Sequence, residues 1–530
     1  MELLVLVNKT YKKVVKWRRN IFSVPSGKVG KAFVEEMART IGLFTRGSNL
    51  ESIALTMTML LPPLVLQKPS KKSKSKDHVQ YLEKRLGWWK DGDLDLLVKE
   101  GEAIQKRLKN SKFTQDDKEK VFTRLMLQGK VSAAMRWIGQ NSTSVLALHE
   151  EVETKLEDGK KVKMKVIDIL KDKHPESQPA TEGGLLQGPK NDVENVIYNS
   201  IDGELIERCT KRMGGSAGPS GLDSDGWKRI ICSKQFTPKS YDLANAVAGL
   251  AKRLCTEFVD PSYIHAYTAC RLVPLDKKPG VRPVGIGEVL RRIVGKAIMT
   301  ITKNDIVDAT APIQVCAGLS GGAEAAIHAL RKVYNDSEVE AVMLIDADNA
   351  FNRLNRNVAL HNIQHVCPEI APYIINTYRE PAKLFISNTD EEIMSQEGVT
   401  QGDNSAMAKY SCSLMPLVNS LVIQDETEKK CTKQIWYADD AAGGGKLEAL
   451  RSWWDQLQET GPLFGYHPKP QKTWLIVKPN MLDKAKAMFP DIQITDEGHR
   501  YLGSYIGSDT GKEKYVEEKV HEWIHEIKDI

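Results

Sequence analysis

Hydrophobic residues in the first quarter of the chain recur at the three- and four-residue spacing of helices. Phe33, Val34, Met37 and Ile41 fall on one helical face, and similar spacing continues to about residue 140. We therefore predict a helical, partly basic N-terminal region, residues 1–170. The pattern does not indicate its function.

Two apolar runs later in the chain end in acidic residues. The run 342–345 leads to Asp346, and the run 434–436 leads through Tyr437 to Asp439 and Asp440. Small residues follow at 441–445, which predicts a strand, a tight turn and a second strand. Two adjacent carboxylates repel each other, so this arrangement makes most sense if a divalent cation binds there.

An Asp-Asp pair alone is weak evidence, since such a pair in a surface turn is usually just solvated. The acidic strand end at Asp346 strengthens it, because the segment between the two sites is long enough for both strands to join one sheet. Three aspartates with hard oxygen ligands and no nearby His or Cys ligand set suit two Mg²⁺ ions, with Mn²⁺ as a substitute.

The box Tyr437–Asp440 resembles the catalytic motif of reverse transcriptases, and other segments resemble further motifs of that family in the same order. These are a fingers motif at 272–284, a first catalytic-aspartate motif at 346–352, a Gln-Gly motif at 397–403 and a primer-grip segment at 501–503. Residues 217–229, with Asp223 as a helix N-cap, resemble a template-contacting motif of non-long-terminal-repeat enzymes, and the alternative is an ordinary loop-to-helix entry. Taken together, these motifs resemble those of a polymerase encoded by a metazoan-type retroelement.

The resemblance implies an α+β, right-hand polymerase fold with an antiparallel palm sheet that has helices on one face. Fingers and palm would occupy residues 196–495, and the start of a thumb would occupy 496–530. Residues 171–195, where Lys, Pro, Gly, Glu and Gln replace apolar periodicity, are predicted to be a linker.

The resemblance also implies a role for individual residues. The catalytic and metal-binding group would be Asp346, the carbonyl of Ala347, Asp439 and Asp440, with Asp348 outside it. Lys472 would protonate the leaving pyrophosphate, although neutralisation of phosphate or template by Lys469 or Lys472 is an open alternative. The remaining assignments are phosphate binding by Lys277, Lys278 and Arg282, nucleotide-pocket shaping by Gln401 and Gly402, and primer or template contact by Tyr501, Leu502, Gly503 and Arg229.

Phe351 lies where reverse transcriptases carry the residue beneath the incoming sugar. A ring there would exclude a 2′-hydroxyl. The alternative is a core aromatic under the palm sheet.

The implied function is RNA-directed DNA synthesis, in which deoxynucleotides are added to a primer 3′-hydroxyl by two-metal phosphoryl transfer. The implied partners are an RNA template, a DNA or RNA primer and deoxynucleotide triphosphates. An RNA-directed RNA polymerase is an alternative, but it would usually carry Gly-Asp-Asp in the hairpin and Asn or Asp in place of Phe351. A catalytically inactive or domesticated RNA-binding scaffold also stays open, since Asn404 stands where relatives commonly have Pro.

Composition sets limits on these interpretations. The net charge is only +6, so a nucleic-acid footprint must be local, and the basic segment 9–19 is either such a footprint or a solvated helix face. Eight cysteines without a C-x-x-C pair argue against zinc ribbons and disulfide frameworks and for a reducing compartment. The apolar run 54–66 is too short to span a bilayer. We expect a soluble intracellular protein without a membrane partner, in the nucleus or cytoplasm with the nucleus slightly favoured; its oligomeric state is not indicated.

Overall fold

The computed structural model describes residues 2–70, 73–109, 115–129, 131, 134, 145–155, 161–190, 192–277, 279–386, 389–400, 402–421 and 432–528. The described fold is mixed α+β, with many helices around several small sheets. Its helices are α1 Glu2–Val14, α2 Lys28–Thr45, α3 Glu51–Val65, α4 Ser75–Asp91, α5 Leu94–Lys109, α6 Gln115–Leu127, α7 Val166–Asp172, α8 Gly203–Lys211, α9 Ser224–Cys232, α10 Lys239–Thr256, α11 Pro261–Thr268, α12 Val289–Ile301, α13 Lys303–Thr310, α14 Gly322–Asn335, α15 Ala350–Arg353, α16 Arg356–Val366, α17 Ala371–Tyr378, α18 Ala406–Ser420, α19 Leu447–Thr460, α20 Leu482–Met488 and α21 Asp509–Lys528. Its strands are β1 Glu151–Lys155, β2 Lys161–Lys165, β3 Cys270–Asp276, β4 Val281–Gly287, β5 Ala341–Ile345, β6 Ala382–Ile386, β7 Glu392–Ser395, β8 Lys433–Tyr437, β9 Asp440–Gly445, β10 Trp474–Val477, β11 Gln493–Thr495, β12 Gly498–Tyr501 and β13 Ser504–Gly507.

A five-stranded central sheet has the order β11-β10-β5-β9-β8. All five residues of β5 are buried, which explains why its sequence is a continuous apolar run. The pairs β10–β5, β5–β9 and β8–β9 are antiparallel, but β10 and β11 are parallel. The expectation of a purely antiparallel sheet is therefore corrected at one edge. The physical reason is that α20 lies between β10 and β11 and provides the crossover that a parallel pair needs.

A second sheet has the order β4-β3-β6-β7, with β3 antiparallel to β4 and parallel to β6. The antiparallel hairpin β1–β2 and helix α7 belong to a small separate core with this sheet. The N-terminal region, for which helices alone were predicted, therefore also contains a hairpin.

The main hydrophobic core runs from Val7 in α1 to Ile492 beside β11, and it includes helices from both the N-terminal region and the later chain. The helical face predicted at Phe33, Val34, Met37 and Ile41 is confirmed, since these side chains are fully buried in α2. Helix α2 packs against α10, and α3 packs against α11.

Residues 171 and 172 of the predicted linker 171–195 form the end of α7, and its residues 178–190 lie along α16 and are hydrogen-bonded to it. The side chain of Asn362 accepts from the Leu186 N–H and donates to the Gly184 carbonyl, at 2.9 and 2.8 Å. The polar composition of the linker is explained by these hydrogen bonds between its backbone and side chains of α16 at the protein surface. No helix in the described part of the chain is long and apolar enough to cross a membrane.

Candidate active site

A hairpin tip carries the paired aspartates, as the sequence predicts. Tyr437 pairs with Asp440, which leaves Ala438 and Asp439 as the two turn residues between β8 and β9. Strand β9 also pairs with β5, where Ala441 lies opposite Ile345. Asp440 and Asp346 directly flank this pair in the sequence, so the sheet brings the two acidic strand ends together.

Backbone strain is concentrated in the segments that resemble polymerase motifs. In the described part of the chain, positive φ outside glycine occurs at Asn349 (45°), Ala438 (55°) and Leu502 (47°). Asn349 follows Asp348, Ala438 is at the acidic hairpin tip, and Leu502 is in the turn between β12 and β13. A left-handed L-residue costs roughly 1–2 kcal/mol, and such strain tends to occur at functional sites.

Two buried side chains hold the strained hairpin tip. The side-chain amide of Gln314 accepts from the Ala438 N–H at 2.9 Å and donates to the Ala438 carbonyl at 3.0 Å. The Tyr466 hydroxyl donates to the Asp439 carbonyl at 2.9 Å. The chain around Gln314 is itself fixed by two backbone hydrogen bonds between residues 313–315 and Trp436. Sequence reasoning missed both side chains, because neither belongs to a periodic pattern or a recognisable turn.

The three aspartates act on one another electrostatically. Burial, followed by the charges of Asp439 and Asp346, raises the pKa of Asp440 to about 7. Burial and the Asp346 charge also raise the pKa of Asp439, while Lys277 opposes this shift. Crowded carboxylates of this kind favour a proton or a cation in their midst.

The segment 467–472 lies against the chain that follows β5. The Asp348 N–H donates to the His467 carbonyl and the Lys469 N–H donates to the Asp346 carbonyl, both at 2.9 Å. This contact brings Lys472 Nζ within 3.2 Å of Asp346 Oδ2.

Asp348 differs from the other acidic residues of the site because two cations neutralise its carboxylate. Its carboxylate is 2.9 Å from Lys469 Nζ and 3.4 Å from the Arg353 guanidinium. Burial alone would raise the pKa of Asp348, but the hydrogen bond from Lys469 and the two positive charges lower it. The exclusion of Asp348 from the metal ligands stays a prediction.

The donor chemistry at the hairpin tip fits a hard cation, since the available ligands are carboxylate and carbonyl oxygens. Across the residues that the structure describes, no three His, Cys, Asp or Glu side chains are grouped closely enough to enclose a metal ion. Lys472 supplies positive charge to Asp346 in this arrangement. The two Mg²⁺ ions therefore stay a prediction.

Lys277, one of the predicted phosphate-binding cations, lies in the turn between β3 and β4. The Lys277 N–H donates to the Gly280 carbonyl at 3.1 Å, and Arg282 follows in β4. Partial desolvation, then the positive charges of Lys472 and Arg282, lower the pKa of Lys277, while Asp346 and Asp439 oppose the shift. The fold thus brings Lys277 to the acidic strand ends. Lys278 lies outside the described residues.

A buried ionic network fixes the loop predicted to shape the nucleotide pocket. Asp403 accepts from the Arg291 guanidinium at 2.5 Å and from the Tyr378 hydroxyl at 2.7 Å. Gly402 has a φ of 105°, and a Cβ there would lie 2.9 Å from the Gly285 carbonyl oxygen. The loop therefore rests closely on β4. Gln401 lies outside the described residues.

Phe351 is half-buried beside this loop. Its ring stacks on that of Tyr410 at 4.6 Å between centroids, and its carbonyl accepts from the Val399 N–H at 2.7 Å. Burial, then the charge of Asp439, raises the pKa of the Tyr410 hydroxyl, which places this aromatic pair near the acidic tip.

Of the residues assigned to primer or template, Tyr501 lies near the site and Arg229 is engaged elsewhere. Tyr501 precedes the turn Leu502-Gly503, and burial together with the Asp440 charge raises the pKa of its hydroxyl. Arg229 donates to the Val24 carbonyl and to Ser26, and thereby ties α9 to the N-terminal region. The prediction of Asp223 as an N-cap is confirmed by its bond from the Gly226 N–H.

No protein-family model and no curated protein sequence matches this chain. Among solved structures, apo telomerase from Candida tropicalis is similar over 59% of this chain and 64% of that chain, with a TM-score of 0.35 and 10% sequence identity. The chain thus spans less than two thirds of the telomerase chain. A likeness at this level does not assign a fold or a function.

Proposed function

We propose that this protein is an RNA-directed DNA polymerase that adds deoxynucleotides to a primer 3′-hydroxyl opposite an RNA template. The observation that carries the proposal is the meeting of opposite charges at the central sheet. Asp346, Asp439 and Asp440 lie at adjoining strand ends. Lys472 is paired with Asp346, and Lys277 approaches Asp346 and Asp439 from a separate segment with Arg282 beside it. Carboxylates that bind cations, next to cations that bind phosphates, are what phosphoryl transfer requires.

In this proposal the central sheet is the palm of a right-hand polymerase, the β3–β4 hairpin belongs to the fingers, and residues 496–530 begin a thumb. The sequence motifs support these assignments through their order along the chain. The same resemblance supports an origin in a retrotransposable element of the non-long-terminal-repeat kind.

Asp346, the Ala347 carbonyl and Asp439 would hold two Mg²⁺ ions, with Mn²⁺ as a substitute and Asp440 supporting the site at its edge. When bound, the ions would lower the pKa of the primer hydroxyl and neutralise the triphosphate. The clamp from Gln314 and Tyr466 would keep the hairpin tip at a fixed distance from Asp346. Such preorganisation is needed because small displacements of reacting groups cost large factors in rate.

Lys277 and Arg282 would bind the β- and γ-phosphates, and Lys278 would add to this group. Arg282 can offer two parallel N–H donors to a phosphate, which a lysine cannot. Lys472 would leave its pairing with Asp346 and give a proton to the departing pyrophosphate. Tyr501, Leu502 and Gly503 would support the primer end. Arg229 would have to release its hydrogen bonds to Val24 and Ser26 before it could contact the template.

Phe351 would exclude ribonucleotides. Its ring is only half-buried and rests on Tyr410, so one face is supported while the other can lie beneath the incoming sugar. Gln401 and Gly402 would form the adjoining wall of the pocket.

One observation favours a second candidate, a non-catalytic RNA-binding scaffold. Asp346 is paired with Lys472, and within the described residues the carboxylates are not gathered as a metal site. A scaffold of this kind would retain the fold and the basic surfaces without turnover.

Primer extension on poly(rA)/oligo(dT) with purified protein and Mg²⁺ tests the proposal. We expect deoxythymidine incorporation that depends on the divalent ion and is absent from the Asp439→Asn variant. RNA binding without extension in either Mg²⁺ or Mn²⁺ would favour the scaffold. Equal use of ribonucleotides would favour an RNA polymerase.

A further inference from the structure

We propose that Lys173 is a further binding residue for the triphosphate of the incoming nucleotide. The inference rests on the proposed function and adds a residue that no sequence motif indicated. Lys173 lies in the segment predicted to be a linker, immediately after α7.

The position of Lys173 is fixed from one side by the second sheet. Its N–H donates to the Ile169 carbonyl at 3.0 Å and so ends α7. Helix α7 buries Val166 and Leu170 in the small core that also contains Val281 of β4. Lys173 is therefore anchored to the same hairpin that carries Lys277 and Arg282.

The position is fixed from the other side by the chain that follows β5. The Asn349 side chain donates to the Lys173 carbonyl at 2.9 Å. Asn349 comes directly after Asp348 in the left-handed conformation, and its side-chain oxygen accepts from the Asn352 amide at 2.9 Å. Lys173 thus connects the phosphate-binding turn to the acidic strand end.

The ammonium group of Lys173 lies among other cations. Burial, then the charge of Lys277, lowers the pKa of Lys173 to about 8, with Lys472 acting in the same direction. Asp348 and Asp172 oppose the shift. Asp348 is already paired with Lys469 and Arg353, so it does not need Lys173 for neutralisation.

The positive charges of Lys277 and Lys472 act against that of Lys173, although Asp346 already offsets part of the charge of Lys277 and Lys472. In the described part of the chain Lys173 forms no ion pair of its own. Cations that lie together beside an active site raise the local concentration of an anionic substrate. A triphosphate would bring further negative charge to these lysines. Because the lysines adjoin the acidic strand ends, the bound triphosphate would lie next to those carboxylates.

The test compares Lys173→Met with Lys173→Arg and with the control Lys171→Met. Lys171 is exposed on the same helix end and lies 4.0 Å from Glu391, away from the cation cluster. We expect Lys173→Met to raise the KM for deoxynucleotide by about tenfold, the effect of losing one charge-assisted phosphate contact, with a smaller change in kcat. Lys173→Arg and Lys171→Met should stay within about twofold of the wild-type protein. An unchanged KM in a folded Lys173→Met variant overturns the proposal.

The dependence of KM on pH gives a second readout. Deprotonation of Lys173 should weaken nucleotide binding as the pH rises through about 8. Arginine stays charged in this range, so Lys173→Arg should lose this component of the pH profile. Identical profiles for the wild type and Lys173→Arg overturn the proposal even if Lys173→Met does not fold.

Equilibrium binding of Mg²⁺-dATP separates this inference from the proposed function. A wild-type protein that never extends a primer refutes the polymerase activity. Weaker dATP binding by Lys173→Met than by Lys171→Met would still support the triphosphate contact, and equal binding by these two variants would overturn it.

Discussion

Gln314 forms two hydrogen bonds with the peptide groups of Ala438, although 124 residues separate them in the chain. The Gln314 side chain is fully buried, and the bonds satisfy an N–H and a carbonyl at the acidic turn. This side-chain clamp stabilises a positive φ at a residue that has a Cβ. Together with the hydrogen bond from the Tyr466 hydroxyl to the Asp439 carbonyl, it fixes the position of the acidic turn.

Gln314→Leu should impair both stability and activity. The substitution leaves two buried backbone groups without partners, at a cost of roughly 1–3 kcal/mol each. We expect the free energy of unfolding to fall by about 2–4 kcal/mol and primer extension to fall at least tenfold in the folded fraction. Denaturant unfolding and single-turnover extension measure the two effects. Unchanged extension would show that the hairpin tip does not depend on this clamp.

Ala438→Gly and Ala438→Val form a matched pair for the strained turn. Glycine adopts positive φ without a Cβ clash, so Ala438→Gly should keep activity and raise the free energy of unfolding by about 0.5–1 kcal/mol. The β-branched valine should destabilise the protein by more than 1 kcal/mol and reduce extension. Thermal unfolding of both variants checks the order. If the valine variant were more stable than the glycine variant, the inferred backbone strain at Ala438 would be wrong.

Asp439→Asn should abolish extension while the protein stays folded, because the amide keeps the shape but loses the charge that binds Mg²⁺. We expect a loss of at least a thousandfold in kcat/KM. Asp348→Asn is the matched control, since Asp348 is paired with Lys469 and Arg353 and should matter far less. Equal losses in the two variants would mean that the ligand assignment is wrong.

Glu288→Gln should change how stability depends on pH. Glu288 is fully buried and accepts from the Ser220 N–H and hydroxyl at 2.6 Å, yet burial raises its pKa to about 7 from 4.5. The folded protein therefore holds a proton that the unfolded chain loses above pH 4.5, and this stabilisation is lost as the pH rises through about 7. We expect the difference in unfolding free energy between wild type and Glu288→Gln to shift by about 2–3 kcal/mol between pH 4.5 and 8. A constant difference across this range would show that Glu288 stays ionised.

Phe351→Val should relax sugar selection. Removal of the ring opens room for a 2′-hydroxyl, so ribonucleotide incorporation should rise relative to deoxynucleotide by at least tenfold. Incorporation of both nucleotides by the folded variant measures this ratio. The stacking on Tyr410 predicts a loss of about 1–3 kcal/mol in stability as well. Loss of stability and of both activities in parallel, with the ratio unchanged, would make Phe351 a core residue only.

The sequence alone determined the features whose cause lies within a few residues. The apolar run before Asp346, the small residues after Asp440 and the cap at Asp223 each specify a local conformation, and all three occur as predicted. The helical face at Phe33 and Met37 is buried for the same reason, because periodicity is a local property.

Only the tertiary structure decided which distant residues support these local elements. Gln314, Tyr466 and Lys173 belong to no motif, and their roles arise from contacts across the sheet, the hairpin and α7. The parallel placement of β11 beside β10 and the hairpin β1–β2 were likewise not predicted. Short strands and single polar side chains have too little local pattern to be recognised, since their free energy comes from partners far away in the chain. The local sequence pattern therefore predicts the acidic strand ends. Long-range packing determines which side chains, Gln314 and Tyr466 among them, hold these strand ends and which cations lie near them.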